Sequence, residues 1–229
     1  MASKQKPIDE IEKAINDIID KNNNTVYEQI DITQQIDIKN QDIDNLDDDI
    51  LTDIYGESQN SAKFKLNTKW HLWYHSLSNK TDWSINSYKN IYTIETIKDF
   101  WDLFNHFDMI GGIHCQQFFF MRDGINPTWE DPKNRKGGSW SIMLTKDKYR
   151  DLDEKSLQIF TKIAIYLIGE TLTNEPLRNN GISVCLKNPV TSIIKIWNCD
   201  SKYNTNNLLK PELLKEFGNI IYKANIPED

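Results

Sequence analysis

Cysteine is scarce in this chain of 229 residues, with three in all, Cys115, Cys185 and Cys199. An odd count without Cys-x-x-Cys spacing excludes a disulfide framework and argues against a zinc site. No run is apolar enough to span a bilayer, and the stretch Met1–Pro7 has no apolar signal region. The expectation is a reduced, cytoplasmic protein with no membrane contact. Histidine is also scarce, with four scattered residues, and no helical face gathers several Glu. Neither a metal site nor a catalytic cluster is legible, and no cofactor is expected. Aromatics are missing before Tyr27, and only Tyr55 joins it in residues 1–60. That segment holds 5 Lys against 15 acidic residues, so the net charge of −7 is concentrated there. It cannot bury enough apolar area to offset its ordering entropy. We divide the chain into an acidic low-complexity tail, 1–60, and a domain, 61–229. In the tail, Ile8, Ile11, Ile15, Ile18 and Ile19 share one helical face, as do Ile43, Leu46, Ile50 and Ile54.

All seven Trp fall between Trp70 and Trp197, which marks the folded part. Phe64–Leu77 reads as a first strand with aromatics on both faces. Asn79–Trp83 is a polar turn that presents Trp83. A short strand, 90–95, leads into a helix, 96–107, with Thr93 or Thr96 as cap. Phe100, Leu103, Phe104 and Phe107 form its buried stripe, while Ile97 and Trp101 lie four apart on a neighbouring face. Further strands are expected at 113–122, 140–144, 181–187, 191–198 and 220–224, and helices at 153–170 and 208–217. Trp140 and Met143 are expected to point inward or towards neighbours.

Between the third and fourth strands lies Asp123–Trp140, with turn chemistry at Asp123-Gly124 and Asn126-Pro127 and a break at Gly137-Gly138. Trp129, Glu130 and Asp131 therefore place a large aromatic on a loop beside two carboxylates. Guanine offers two N–H donors on one edge, which Glu130 can accept as a fork. A ring methylated at N7 is cationic and is attracted to an indole face beyond ordinary stacking. A base stack is worth about 1–3 kcal/mol, a bidentate contact about 1–3 kcal/mol and a desolvated cation–π contact about 2 kcal/mol. Together they reach the micromolar range, about −8 kcal/mol.

Five motifs in order, Lys-Thr-Asp-Trp (80–83), Asp-Phe-Trp-x-Leu-Phe-Asn-His (99–106), Asp-Gly-Ile-x-Pro-x-Trp-Glu-Asp (123–131), Leu-Ile-Gly-Glu (167–170) and Ile-Trp (196–197), resemble the eukaryotic translation initiation factor 4E family of mRNA cap-binding proteins. The resemblance covers about Phe64–Asn225. It implies an α+β fold, a single curved antiparallel sheet of about eight strands with three helices on its convex face. It further implies that Trp83 and Trp129 sandwich a 7-methylguanosine cap, that Glu130 pairs with the guanine edge, and that Trp197 touches the methyl group. Lys187 matches a basic residue of the phosphate grip. Ile97, Trp101, Ile165 and Gly169 would border a groove for a helical peptide of a scaffold or repressor protein. The implied function is to bind capped mRNA and recruit the initiation scaffold. The alternatives are a cap-binding repressor that does not recruit the scaffold, and an interaction domain with a decayed pocket. A cap hydrolase would need a Glu-rich helix that the chain lacks.

Two departures from the family pattern stand out. Ser139 occupies the place of a family Arg after Gly-Gly, and the place of a further family Lys falls at about Ser192 or Ile193, neither basic; Arg135, Lys136 and Lys195 could substitute. This implies a weaker dependence on the triphosphate or a different preference in the following nucleotides. Thr161 and Lys162 stand where the family often has a carboxylate beside the peptide groove, which implies a scaffold of altered charge.

Overall fold

The computed structural model describes residue 13 and residues 64–76, 81–113 and 116–225. The two helical faces read in the tail, Cys115, and the start of the Asn79–Trp83 turn lie outside the described residues.

Period-two alternation of apolar residues builds one seven-stranded sheet in which every pairing is antiparallel. The strands are β1 (Lys65–Ser76), β2 (Tyr88–Thr96), β3 (Gln116–Arg122), β4 (Gly138–Thr145), β5 (Asn179–Asn188), β6 (Thr191–Asn198) and β7 (Ile221–Ala224), in the spatial order β2-β1-β3-β5-β6-β4-β7. Three helices, α1 (Ile97–Phe104), α3 (Leu152–Ile168) and α4 (Pro211–Phe217), pack on one face; α2 (Pro132–Arg135) is a single turn within the loop between β3 and β4. Seven of the roughly eight expected strands thus lie among the described residues, with the three expected helices behind them.

The main core lies between sheet and helices. Trp70, Leu72 and Tyr74 of β1 face Phe118 and Phe120 of β3, and the Phe100, Leu103, Phe104 and Phe107 stripe covers them as its spacing predicts. Phe104 and Phe107 reach Phe160 of α3 at ring separations of 5.9 and 6.3 Å. Helix α1 is shorter than the expected 96–107. Thr96 caps it reciprocally with Asp99, and the chain turns after Phe104 while still burying Phe107.

Met143 departs from expectation. Residues three apart in a strand fall on opposite faces, so Trp140 is buried in the core while Met143 projects from the open face, 66% exposed. The Gly137-Gly138 pair is a close approach as well as a break. A Cβ on Gly138 would lie 2.4 Å from the Lys223 carbonyl oxygen, and one on Gly137 only 1.9 Å from that of Asn198. Without side chains there, β4 can be flanked by β7 and β6. No helix among the described residues is long and apolar enough to cross a membrane.

Candidate functional site

The open face of the sheet carries a second, smaller apolar cluster: Tyr88, Phe119, Met121, Ile125 and Trp197, with Trp73 half-buried beside them. Directly opposed residues in antiparallel strands share a face, so the pairings fix rows across it. One row places Met121, Gly181, Trp197, Ser139 and Lys223 side by side from β3 to β7. The next runs Phe119, Ser183, Lys195, Ser141 and Ile221. Trp197 is 7% exposed in this floor, and its indole N–H donates to the Ser183 hydroxyl at 3.0 Å. It is therefore set into the floor, unlike the exposed Trp83 and Trp129.

Two loops border this floor, and they leave β1 and β3 from opposite ends of that antiparallel pair. The first carries Trp83, 47% exposed. Its ring lies on His75 of β1, with centroids 4.5 Å apart and planes within 15°. His75 is fully buried, and Nε2 donates to the Asp82 carbonyl at 3.1 Å, which assigns the proton to that nitrogen. Tyr88 packs against His75 on another side. His75 is a positioning residue that the sequence reading took only for a strand aromatic.

The second loop, between β3 and β4, presents Trp129, 50% exposed, and the exposed Glu130. Their neighbours Thr128 and Asp131 are buried, so the pair is held up on two anchors. Asp131 caps α2 by accepting from the Lys133 backbone N–H at 2.8 Å, and it accepts the Asn126 N–H at 3.0 Å. Asn134, fully buried, donates to the carbonyls of Asn126 and Thr128 at 2.9 and 2.8 Å. Asn180 of β5 donates to the Asn134 side-chain oxygen at 2.8 Å, and Asn225 to its carbonyl at 2.7 Å. Asp131 is thus a structural carboxylate, and Glu130 alone is presented outward. Before the loop, Asp123 is fixed by His71 at 2.8 Å, a contact that holds its carboxyl below the usual carboxylate range.

The two loops converge electrostatically on Tyr88. Burial, with Glu130 and Asp82 adding to it, pushes its hydroxyl up to about 12. Tyr88 therefore stays neutral, and both carboxylates lie close enough for it to sense them. The loops that carry Trp83 and the Trp129–Glu130 pair thus both border the aromatic cluster that contains Tyr88 and Trp197. Lys187, at the exposed end of β5, lies along the same face. Burial raises the Cys185 thiol pKa, and Lys195 and Lys187 oppose that rise, which puts both lysines near it. Ser192 turns to the core side, its hydroxyl on the Cys185 carbonyl. Lys223, directly opposite Ser139, is a basic residue of this face that the sequence reading missed. Only the register of a four-residue edge strand reveals it.

On the helix side, Ile97 and Trp101 are exposed on α1, Ile165 on α3, and Gly169 directly after the end of α3. Trp101 stands edge-on to buried Phe100 at 5.2 Å, which leaves its remaining surface outward. Phe64, also exposed, accepts the Ile97 backbone N–H at 2.9 Å. Lys162 is paired with Glu216 of α4 at 2.8 Å, and Lys155 meets the same carboxylate at 3.2 Å. The positive charge expected beside the groove is therefore offset by a carboxylate from another helix.

Fold and site together define a single-sheet α+β domain with exposed aromatics over one face and an apolar helix surface on the other. The chain belongs to the eukaryotic initiation factor 4E family, whose model matches residues 65–225. It is 25% identical over 168 residues to eukaryotic translation initiation factor 4E-3 of Caenorhabditis elegans, covering 73% of this chain and 64% of that protein. It is 36% identical over 112 residues to eukaryotic translation initiation factor 4E of Homo sapiens, covering 48% and 49%. The matched stretch thus spans about half to two thirds of these relatives' length. The crystal structure of Ascaris suum eIF4E-3 with an m2,2,7G cap superposes with a TM-score of 0.60 at 25% identity, over 72% of this chain and 93% of that one.

Proposed function

We propose that this protein binds the 7-methylguanosine 5′ cap of mRNA and, through the α1–α3 surface, a helical peptide of a translation scaffold or repressor. The observation that carries the reading is the mouth itself, in which exposed Trp83 and Trp129 stand over a floor containing Trp197 while Glu130 and Asp82 act on one buried tyrosine. Trp83 and Trp129 stack on the cationic base from two sides, Glu130 accepts its N1–H and amino group, and Trp197 meets the N7-methyl. His75 backs Trp83, so one indole face is already covered and the ring is fixed before ligand arrives. Lys187 supplies positive charge beside the phosphates. The role is binding and not catalysis, placed in residues 61–229 and in the cytoplasm, with 1–60 an acidic appendage.

Tryptophan fluorescence titration with 7-methylguanosine triphosphate and with GTP tests the cap site. Strong quenching is expected with the methylated ligand and weak quenching with GTP; equal weak responses would overturn the reading. For the second surface, Trp101→Ala is expected to weaken capture of a helical scaffold peptide by at least about tenfold, the scale of a buried aromatic anchor. Cap affinity should stay unchanged, since Trp101 lies behind the sheet. Peptide affinity unchanged in Trp101→Ala would remove α1 from the partner surface.

A further inference from the structure

Past Trp197 the open face continues across β6, β4 and β7. There Lys195 and Lys223 flank Ser139 and Ser141 in two adjoining rows, and Met143 and Ile221 project beside them, 66% and 60% exposed. At about 4.8 Å per strand, Lys223 is two strands, about 10 Å, from Trp197 in the same row. Lys195 is displaced from Lys223 by two strands and one row, about 12 Å. The serines between them are too short to fill that interval.

We propose that this strip holds the single-stranded RNA that follows the cap nucleotide, its phosphates between Lys195 and Lys223 and a base resting on Met143 and Ile221; this rests on the cap reading above. Three observations carry it. Neither Lys195 nor Lys223 has a carboxylate partner among the described residues, so both charges are open to a ligand. No Asp or Glu stands in these rows on β5, β6, β4 or β7. The strip is also continuous with the floor that carries Trp197, so a strand covalently joined to a ring in the mouth reaches it without a second encounter. Cation and apolar groups in alternation suit a chain whose charge and flat faces alternate, and every base has a face to offer, so the contact is tolerant of sequence. An acidic peptide would satisfy the lysines, but nothing tethers it to the mouth.

The test compares the full chain's affinity for a capped pentaribonucleotide with that for 7-methylguanosine triphosphate, over a range of salt. The pentaribonucleotide is expected to bind about tenfold tighter, and Lys195→Gln with Lys223→Gln to bring that ratio near one. The same pair should flatten the logarithmic salt dependence by about 1.4, two single-strand phosphate contacts at about 0.7 each. Met143→Ser with Ile221→Ser should lower the ratio and leave the salt slope as it was. A wild-type ratio near one, or a ratio that the lysine pair leaves unaltered, would overturn the strip while the cap reading stands. So would loss of an acidic protein partner in the lysine variant with the ratio intact. Failure to distinguish 7-methylguanosine triphosphate from GTP would instead overturn the cap reading, and this inference with it.

Discussion

Glu130→Gln is expected to weaken binding of 7-methylguanosine nucleotides by about 30- to 150-fold, equivalent to about 2–3 kcal/mol. A carboxylate accepts both donors of the guanine edge at once. The amide keeps the shape but offers one acceptor and one donor, so one bond is lost and a second N–H faces another N–H. Inside an aromatic sandwich that unpaired donor cannot turn to water, which is why the loss exceeds the value of one ordinary hydrogen bond. Glu130 is exposed and makes no hydrogen bond or ion pair with the described residues, so the thermal midpoint should not move. Calorimetric titration of both proteins, with a melting curve for each, checks the two halves together. Undiminished affinity in Glu130→Gln would mean that guanine is read elsewhere.

Asn134→Ala is expected to do the reverse, lowering stability first and binding as a consequence. Its side chain is fully buried and holds the Asn126 and Thr128 carbonyls, while Asn180 donates to its oxygen. Removing it strands two acceptors and one donor with little access to water, each worth about 1–3 kcal/mol. With partial rescue by water, a loss of about 3 kcal/mol follows, or a midpoint lower by about 6–12 °C for a domain of this size. Because Asn126 and Thr128 bracket the approach to Trp129, cap affinity should fall also, even though Asn134 would touch no ligand. Urea unfolding with and without cap analogue separates these effects. A midpoint within a degree of the wild type would show that the loop is held by Asp131 alone.

What the sequence made legible follows from the strength of local signals. Alternating aromatics in Phe64–Leu77 and the helical stripe Phe100–Phe107 are periodic over long runs, so a strand and a helix stand there with the expected buried faces, the helix shorter than read. Trp83 and Trp129 announced themselves by polar company and Trp101 by its place beside a helix's buried stripe, and all three are exposed. Missing were features decided by pairing partners far away in the chain. Met143 and Lys223 owe their places to strand register, which no local window contains. Glu216 meets Lys162 across 54 residues, and Asn134 reads as an ordinary polar loop residue until Asn180 and Asn225 close on it. His75 and His71 share one face of β1, and only a loop that folds back over His75 sets it apart.

The strand order holds one more consequence. β3 and β4, whose connection bears Trp129 and Glu130, are not neighbours; the β5–β6 hairpin lies between them. The connection therefore spans two strands made later in the chain, and it is tied down by Asn180 and by backbone bonds from Ser201 to Lys136 and from Asn225 to Gly137. During folding, the local hairpins β1–β2 and β5–β6 can form early, but the mouth has no floor until β5 and β6 have slotted between β3 and β4. Recognition is thus among the last properties the molecule acquires. A truncated or half-synthesised chain has nothing to bind with, and a bound ligand reports on, and by mass action protects, the whole sheet rather than one loop.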